Sequence, residues 1–467
     1  MLLKTIMRIN VRSQLIYCLL VSSIFSQNRV KDENFLSNWM SHLMPAIGNL
    51  TLMDISLPGT HDSMSYDLST TVSVGANDLP SWLSFLLHDY YKAFNIVGKF
   101  IQQQARTQTL NATAQLDSGI RFIDFRAMFT PGPTVPSKGT KAWYSIHMVE
   151  TYNKVEFYLS SIRAWLDSHP NEILVIWVSY HGGVCSVGQD QYPGVPVEAK
   201  KLMWTIFEST FAGQLFDTKL SQTNETTLNE LISRNHRIIA LFSDYSETTG
   251  NSTLAQDACT FFNNQGGSHI RQDSFDEMID RFGDWKNTKP DAKMANKFYL
   301  QSFAADGTDY TSAFFLTYFS NFLTNWMFKQ KCAKSYDIPG VANWCPLSLF
   351  ESAKLNNYYH QFLFEAVISN QNLNFPNAFY IDAVTQGGLI NYGVGKESIG
   401  YAYVDTLILY NLRLVCDKTP IQETIAACNE LIELISERRS LNPLKPINDP
   451  ERGRITGWPL IKNLTMS

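Results

Sequence analysis

Seven short, β-rich apolar runs, separated by segments with helical periodicity, constrain the fold of this chain more than any other feature of its sequence. The clearest helical segment spans 151–170 and places Val155, Leu159, Ile162 and Leu166 on one face. Nearly continuous apolar strands that alternate with helices are typical of a parallel sheet covered on both faces. Seven or eight such strands predict an α/β fold, a TIM-barrel-like (β/α) barrel that is irregular or incomplete, rather than a small doubly wound sheet. The runs are 51–57, 120–129, 143–149, 172–180, 237–245, 297–303 and 378–384.

Polar and charged side chains stand where these runs end. In a barrel of this type the carboxyl ends of the strands meet at one rim, and active sites collect there. We therefore expect the polar strand-end residues to share one site. They are His61, Asp124, Arg126, His147, Ser179, Asp244 and Asp382.

The length and charge of the chain narrow its functional class. It has 467 residues, 45% of them hydrophobic, which is enough for one large domain with insertions or for two ordinary domains. A net charge of −5, without a block of like charges, gives no basic face, so we expect no nucleic-acid partner. The sequence leaves the oligomeric state open.

The N-terminus has the pattern of a secretory signal peptide. Lys4, Arg8 and Arg12 precede the apolar run 15–25, and small residues follow it. The run is shorter than the roughly 20 residues that a membrane-spanning helix needs. We therefore predict a signal peptide over 1–26, and the alternative is a buried N-terminal helix.

Cysteine and glycosylation-acceptor usage also favours the secretory route. Loss of the leader would remove Cys18 and leave six cysteines, an even number that allows up to three disulfides of unspecified pairing. Five Asn-x-Ser/Thr acceptors occur as well. We expect a secreted or lumenal, N-glycosylated protein with an extracellular or lysosome-like residence. The cysteines are Cys185, Cys259, Cys332, Cys345, Cys416 and Cys428, and the acceptors are Asn49, Asn111, Asn224, Asn251 and Asn463.

One domain over 35–415 accounts for all seven runs. Two insertions are predicted within it, at about 75–110 and at about 305–370. A capping box that begins at Thr419 predicts a C-terminal helix within 416–467, followed by an irregular tail.

Both predicted insertions contain an aromatic-rich stretch, at 78–102 and at 310–328. The Thr, Ser and Asn interruptions of the second stretch argue against a membrane-spanning helix. Each stretch either packs against the barrel or dips into a lipid surface, where Trp and Tyr favour the interface.

The strand-end residues suit acid–base chemistry on a phosphate. The sequence lacks a G-x-S-x-G elbow, an H-E-x-x-H pair, a P-loop, a C-x-x-C pair and an EF-hand loop. Two histidines can divide the work of base and acid near neutral pH, each worth roughly 10²–10⁴ in rate. Arginine keeps its charge and presents a planar fork that matches phosphate oxygens. The set therefore predicts phosphodiester cleavage by general acid–base catalysis.

The order of the motifs resembles the phosphatidylinositol-specific phospholipase C X-domain family. The motifs are "LPGTHDS", "SGIRFIDFRA", a lone His after a strand, and "WLDSHPNEILVIWVSYH". The chain is most similar to the compact branch that includes secreted bacterial enzymes and animal X-domain-containing proteins. The resemblance is strong over 54–181 and looser to about residue 410. It implies a phosphoinositide or glycosylphosphatidylinositol (GPI) lipid substrate, cleaved through a 1,2-cyclic inositol phosphate, with peripheral contact to a membrane surface.

The resemblance also implies a role for each matching residue. His61 matches the general base on the inositol 2-hydroxyl, and His147 matches the general acid for the diacylglycerol oxygen. Asp62 matches the carboxylate that assists the acid, and Arg126 matches the arginine on the phosphate. Asp382, at the end of "FYID", is the candidate for orienting His61.

The same resemblance bears on metals and on the head group. Calcium-dependent relatives carry an acid–x–acid pair where this chain has Asp124-Phe125-Arg126, so we expect no metal and no cofactor. The inositol-contacting positions after the fourth and fifth strands differ from the family pattern. The candidates for substrate binding are Asp124, Ser179, His181, Asp244 and Tyr245.

Structural explanations compete with each of these roles. His61 could be an ordinary loop residue, Asp62 a turn acceptor, and Asp124 with Arg126 a salt bridge at one strand end. His147 alternates with apolar neighbours as core residues do, and Asp382 could be a buried, satisfied acid. At the level of function, the alternatives are a catalytically weak lipid- or glycan-binding module and a metal-dependent glycerophosphodiester phosphodiesterase.

Overall fold

A computed structural model describes most of the first 262 residues and shorter pieces beyond them. The helices are α1 (Trp39–Ile47), α2 (Asn95–Ala105), α3 (Ala112–Asp117), α4 (Val155–Ser168), α5 (Val197–Thr210), α6 (Leu228–Ser233), α7 (Tyr245–Thr249), α8 (Ala258–Phe261) and α9 (Tyr403–Cys416). Two 3₁₀ turns span Leu36–Asn38 and Ser65–Asp67. The strands are β1 (Leu57–Thr60), β2 (Phe122–Thr130), β3 (Ala142–His147), β4 (Val149–Lys154), β5 (Leu174–Ser179), β6 (Ile238–Phe242), β7 (Gln256–Asp257), β8 (Leu300–Phe303), β9 (Tyr336–Ile338), β10 (Val341–Trp344) and β11 (Ala378–Ile381). The described ranges are 35–70, 95–133, 140–180, 195–262, 296–303, 336–338, 341–344, 375–384 and 403–416.

Seven strands form a parallel sheet that curls like part of a barrel. Its order is β7-β6-β5-β2-β1-β11-β8, and every neighbouring pair along it is parallel. A parallel bridge also joins Phe262, just after α8, to Phe298, just before β8, so the curl brings the two ends of the sheet together. The ring of Phe122 packs 6.1–6.4 Å from Phe262, Phe298 and Tyr380, which fills the inside of the curl with aromatic side chains. The predicted TIM-barrel-like α/β fold is confirmed.

The first strand lies later in the sequence than predicted. Most of residues 52–55 form turns, and β1 is the Leu-Pro-Gly-Thr segment, although a Pro-Gly pair favours a turn. Pro58 has no N–H to donate to the sheet, but its carbonyl accepts from the backbone N–H of Arg121 at 2.8 Å. A Cβ at Gly59 would lie 2.7 Å from the Phe379 carbonyl, so glycine allows β1 to pack between its neighbours.

The third apolar run belongs to a hairpin rather than to the parallel sheet. β3 pairs antiparallel with the distal half of β2, and β4 pairs antiparallel with β3. β4 takes residues that the helical pattern began with, so α4 starts only at Val155. Period-two alternation does not distinguish a parallel from an antiparallel partner, which is why the sequence misplaced this run. α4 itself has the predicted buried face of Val155, Leu159, Ile162 and Leu166.

A buried ion pair lies at the amino ends of the strands. Arg121 Nη2 lies 2.6 Å from Glu172 Oε2, and Arg121 also donates to the Ser37 carbonyl at 2.8 Å. Glu172 in turn accepts from the backbone N–H of Ser41 in α1 at 2.8 Å. These contacts hold the segment before β1 against the amino ends of the strands. The candidate site lies at the carboxyl ends.

Several predictions fall outside the described residues. They are the signal peptide at 1–26, the aromatic stretch at 310–328 and the C-terminal helix that begins at Thr419. Of the stretch at 78–102, the structure describes residues from Asn95, where α2 begins. None of the helices in the described ranges has both the length and the apolar character to cross a bilayer.

Candidate active site

Three chain segments converge at the carboxyl ends of the strands, and each contains a non-glycine residue in the left-handed region. These are Asp62 (φ 44°), Met148 (φ 60°), which follows His147, and Ala383 (φ 61°), which follows Asp382. Such backbone costs on the order of 1–3 kcal/mol per residue and persists where surrounding contacts enforce it. Every one of these residues is, or adjoins, a predicted site residue. The strain therefore marks the place where the chain turns to present those side chains.

His61 and Asp382 form a buried pair. His61 follows β1, Asp382 follows β11, and their parent strands are neighbours. Nδ1 of His61 lies 2.7 Å from Oδ1 of Asp382, and the two side chains are only 5% and 0% exposed. The carboxylate thus accepts the Nδ1 proton and leaves the Nε2 lone pair of neutral His61 directed into the site. This tautomer is the one that a general base requires.

The guanidinium of Arg126 lies at the centre of the site. Its Nε is 2.5 Å from Asp62 Oδ1, and its Nη2 is 3.2 Å from Asp124 Oδ2. Nη2 also donates to Nε2 of His61 at 2.6 Å. Burial acts to lower the pKa of Arg126, but the Asp124 and Asp62 carboxylates outweigh it and raise that pKa. Arg126 therefore keeps a fixed positive charge within reach of the base.

The second histidine faces the first across the site. The imidazole rings of His61 and His147 are 5.9 Å apart between centroids, in an edge-on arrangement. Nδ1 of His147 donates to the Ala105 carbonyl at 2.5 Å and also lies 3.2 Å from Asp62 Oδ2. Burial, followed by the charge of Arg126, lowers the pKa of His147 to about 4. His147 is accordingly neutral at pH 7 in the free protein, with Nε2 as the nitrogen that takes up a proton.

Asp62 connects both histidines to the arginine. Its Oδ2 lies 3.3 Å from Nε2 of His61, and its backbone N–H donates to Asp124 Oδ2 at 3.1 Å. Its own carboxylate oxygens are buried in charge contacts with Arg126, His61 and His147. Burial raises the pKa of Asp62, although Arg126 and His61 act against the rise. Asp62 can therefore hold a proton more readily than an exposed aspartate does.

Three side chains of types that bind metals also meet here. One atom each of His61, Asp62 and Asp124 lies within 4.8 Å of the others, a spacing compatible with a cation. The guanidinium of Arg126 contacts the same three side chains, at 2.6 Å, 2.5 Å and 3.2 Å. A cation at that point would meet a fixed positive charge, so these residues fit a divalent ion poorly.

The structure brings together six of the predicted residues: His61, Asp62, Asp124, Arg126, His147 and Asp382. Ser179 is fully buried at the end of β5, in register with Arg126, and its hydroxyl has no hydrogen-bond partner among the described residues. Asp244 pairs with Lys200 of α5 at 2.7 Å, and Tyr245 donates to the Ser252 carbonyl at 2.8 Å, so neither of these contacts is with the cluster. His181 lies outside the described residues.

Sequence reasoning missed Thr107 and Gln108, which follow α2 and contact the backbone beneath His61. Both lie in an irregular segment, where no periodicity marks a residue as important. Only the structure reveals their importance, because it shows both polar side chains to be 0% exposed.

The arrangement can move two protons on opposite sides of a bound anion. Nε2 of His61 is prepared to accept one, and the Asp62–His147 pair can deliver the other once it has itself taken up a proton. Arg126, between them, can pair with a negatively charged oxygen. Cleavage of a phosphodiester needs both transfers, because the attacking hydroxyl loses a proton and the leaving oxygen gains one.

Comparison with known proteins gives the same family resemblance as the sequence motifs. Residues 92–298 match the family described as PI-PLC X 1, a range that includes Asp124, Arg126 and His147. PI-PLC X domain-containing protein 1 of Mus musculus is 30% identical over 210 residues, which are 44% of this chain and 53% of that protein. The Homo sapiens protein of the same name is 28% identical over 228 residues, or 48% of this chain and 62% of that protein. The predicted resemblance to the PI-PLC X-domain family is confirmed, over less than two thirds of the length of either relative.

Solved structures with a similar fold include the phosphatidylinositol-specific phospholipase C from Listeria monocytogenes. Its sequence is 15% identical to this chain, and the superposition covers 80% of this chain and 97% of that one with a TM-score of 0.44.

Proposed function

We propose that the protein is a phosphodiesterase that cleaves phosphatidylinositol or GPI-type lipids by acid–base catalysis. The observation that carries the proposal is the buried His61–Asp382 pair facing His147 across Arg126. The X-domain resemblance of residues 92–298 supports the reaction class.

Each step follows from an atom in the site. Nε2 of His61 takes the proton of the inositol 2-hydroxyl, whose oxygen then attacks the neighbouring phosphorus. The bond from phosphorus to the diacylglycerol oxygen breaks, and that oxygen receives a proton that the Asp62–His147 pair has taken up from water on binding the anionic substrate. The products are a 1,2-cyclic inositol phosphate and diacylglycerol, and the proton on His61 replaces the one that was donated. While the substrate is bound, Arg126 donates to a phosphate oxygen instead of to His61.

We further propose that this chemistry proceeds without a metal ion. The support is the position of Arg126, whose guanidinium contacts each of the three side chains that could otherwise hold a cation. A fixed guanidinium supplies the positive charge that calcium supplies in acid–x–acid sites.

Contact with a membrane surface fits the rim around the site. In the β3–β4 hairpin, Lys154 lies opposite Tyr144 in the strand register. This position is farther along β2 than the point where β2 stops pairing with β5. Tyr152 and Phe157 flank Lys154 in sequence, and they are 56% and 52% exposed. Exposed aromatic rings beside a cation are suited to a lipid interface.

A secreted or lumenal location remains part of the proposal. The acceptor asparagines Asn49, Asn111 and Asn251 are exposed, as glycosylation requires. Cys259 is disulfide-bonded, which is common in an oxidising compartment. Mass spectrometry of the protein secreted from eukaryotic cells, before and after removal of N-glycans, tests the location directly.

The test of the activity is turnover of labelled phosphatidylinositol vesicles in EDTA. The wild-type protein should release a cyclic inositol phosphate, and His61→Ala should release none. His236→Ala is the matched control, because His236 precedes β6 at the opposite end of the strands. Activity restored by Ca²⁺ alone would contradict the metal-free mechanism. Inactivity on both phosphatidylinositol and GPI-anchored substrates would favour a lipid- or glycan-binding module.

A further inference from the structure

The segment 105–108, which begins with the last residue of α2, contacts all three segments that carry the site. The Ala105 carbonyl accepts from Nδ1 of His147 at 2.5 Å. The Thr107 hydroxyl donates to the His61 carbonyl at 3.0 Å, and the Thr107 carbonyl accepts from the Ala383 N–H at 2.7 Å. Gln108 contacts the segments of His61 and Asp382 together. One short piece of chain thus makes hydrogen bonds at the ends of β1, β3 and β11, where the functional side chains lie.

Gln108 uses both ends of its side chain. Its Nε2 donates to the His61 carbonyl at 3.0 Å and to the Ile381 carbonyl at 2.7 Å. Its Oε1 accepts from the Val384 N–H at 3.2 Å. The side chain is fully buried, so each of these bonds forms in a low-dielectric interior, where a lost partner is costly.

These bonds begin where the ladder between β1 and β11 ends. The His61 N–H donates to the Ile381 carbonyl at 3.0 Å, and beyond it both chains leave the strand conformation. Asp62 and Ala383 then adopt positive φ angles, so neither chain continues as an extended strand. Thr107 and Gln108 supply the next hydrogen bonds to both chains. The 2.7 Å contact between His61 and Asp382 therefore depends on backbone that these two residues hold.

We propose that Thr107 and Gln108 are positioning residues, which fix the spacing between His61 and Asp382 and thereby keep Nε2 of His61 aimed at the nucleophile. The proposal rests on the function proposed above for its kinetic consequence, while its structural claim about the His61–Asp382 pair holds in the absence of substrate. Gln108 touches the backbone of His61, and of Ile381 and Val384 on either side of Asp382, and not the reacting atoms, so its effect passes through geometry.

The chain offers a matched control at the other end of the same strands. The Asn377 side chain is also a buried amide, and it donates to the Met53 carbonyl at 2.8 Å and accepts from the Tyr299 N–H at 2.9 Å. It precedes β11 and links the backbone on the amino side of the sheet. Asn377→Leu removes a comparable set of hydrogen bonds without approaching His61.

The test compares Gln108→Met with Asn377→Leu by two readouts. The first is steady-state turnover of phosphatidylinositol vesicles, with kcat and KM measured separately. The second is the proton NMR resonance of the His61 Nδ1–H, assigned by its loss in His61→Ala and recorded without substrate. A misplacement of about 1 Å can cost on the order of 10²-fold in rate. We expect Gln108→Met to lower kcat by about that factor with little change in KM, and to shift or broaden the Nδ1–H resonance.

Asn377→Leu should reduce the melting temperature while leaving kcat and the resonance as they are in the wild type. Thr107→Val should act like Gln108→Met, whereas Thr107→Ser, which keeps the hydroxyl, should restore both readouts. This second pair decides the question if Gln108→Met does not fold. An unchanged Nδ1–H resonance in folded Gln108→Met or Thr107→Val would overturn the proposal. If the wild type fails to cleave its substrate, the proposed function falls, but the resonance still tests the positioning role.

Discussion

The acid side of the site gives a prediction whose size can be worked out. Burial and the neighbouring Arg126 lower the pKa of His147 to about 4 from a reference value of 6.5. Between these values the unfolded chain binds more protons than the folded one, so stability falls as the pH falls through this window. At about 1.4 kcal/mol per pKa unit, the gap corresponds to about 3 kcal/mol. The ring keeps 17% of its side-chain surface exposed, which makes this figure an upper limit.

His147→Gln isolates this contribution because glutamine can still donate to the Ala105 carbonyl and does not titrate. The wild type alone is not diagnostic: the raised pKa of Asp62 contributes stability at low pH that is lost as the pH rises, which is the opposite sign. Urea unfolding of both proteins at a series of pH values gives the difference. The wild type should lose up to about 3 kcal/mol relative to His147→Gln between pH 6.5 and pH 4.

Parallel stability curves for the two proteins would refute the reasoning, and so would a His147 NMR titration with its midpoint near the reference value. The same titration tests the acid role. A bound phosphate opposes the charge of Arg126, so a 1,2-cyclic inositol phosphate should raise the pKa of His147. If the ligand binds and the midpoint does not move, Asp62 alone is the proton donor.

Three further perturbations probe the remaining parts of the site. Asp382→Asn places an amide donor beside Nδ1 of His61 and favours the wrong tautomer, so kcat should fall on the order of 10²–10⁴-fold while thermal unfolding shows an intact fold. Arg126→Met leaves buried carboxyl groups unpaired. It should cost about 3–5 kcal/mol at neutral pH, less in acid as Asp62 takes up a proton, and should make the melting temperature rise with Ca²⁺. Tyr152→Ser with Phe157→Ser should weaken co-sedimentation with phosphatidylinositol vesicles and leave turnover of a soluble substrate unchanged.

The part of the site that could be predicted from the sequence is the part that lies at the carboxyl ends of the parallel strands, because these ends meet at one rim. His61 follows β1, Asp382 follows β11, and Arg126 is the last residue of β2 that pairs with β5, and parallel neighbours bring such positions to one rim. Asp244 satisfied the same pattern and nevertheless pairs with Lys200. A strand end fixes which rim a residue occupies, whereas the direction of its side chain depends on neighbours that one sequence does not reveal.

The strands themselves were harder to locate where tertiary contacts override local preference. Leu57–Thr60 contains a Pro-Gly pair, which favours a turn, yet it is a strand because β2 and β11 lie on both sides of it. Gln108 was not predicted for a related reason. Its partner Ile381 is 273 positions away, and no local pattern connects the two residues.

The balance of charge in the site explains how its acid can be neutral at rest and still donate a proton. Asp62, Asp124 and Asp382 are three buried carboxyl groups, and Arg126 is the fixed cation among them. A phosphodiester adds another negative charge to this low-dielectric space, which favours uptake of a proton from water. The groups prepared to take it are Asp62, whose pKa is already raised, and His147, whose pKa a bound anion would raise. In the proposed reaction, the negative charge of the substrate would therefore cause the site to take up the proton that the departing diacylglycerol oxygen requires.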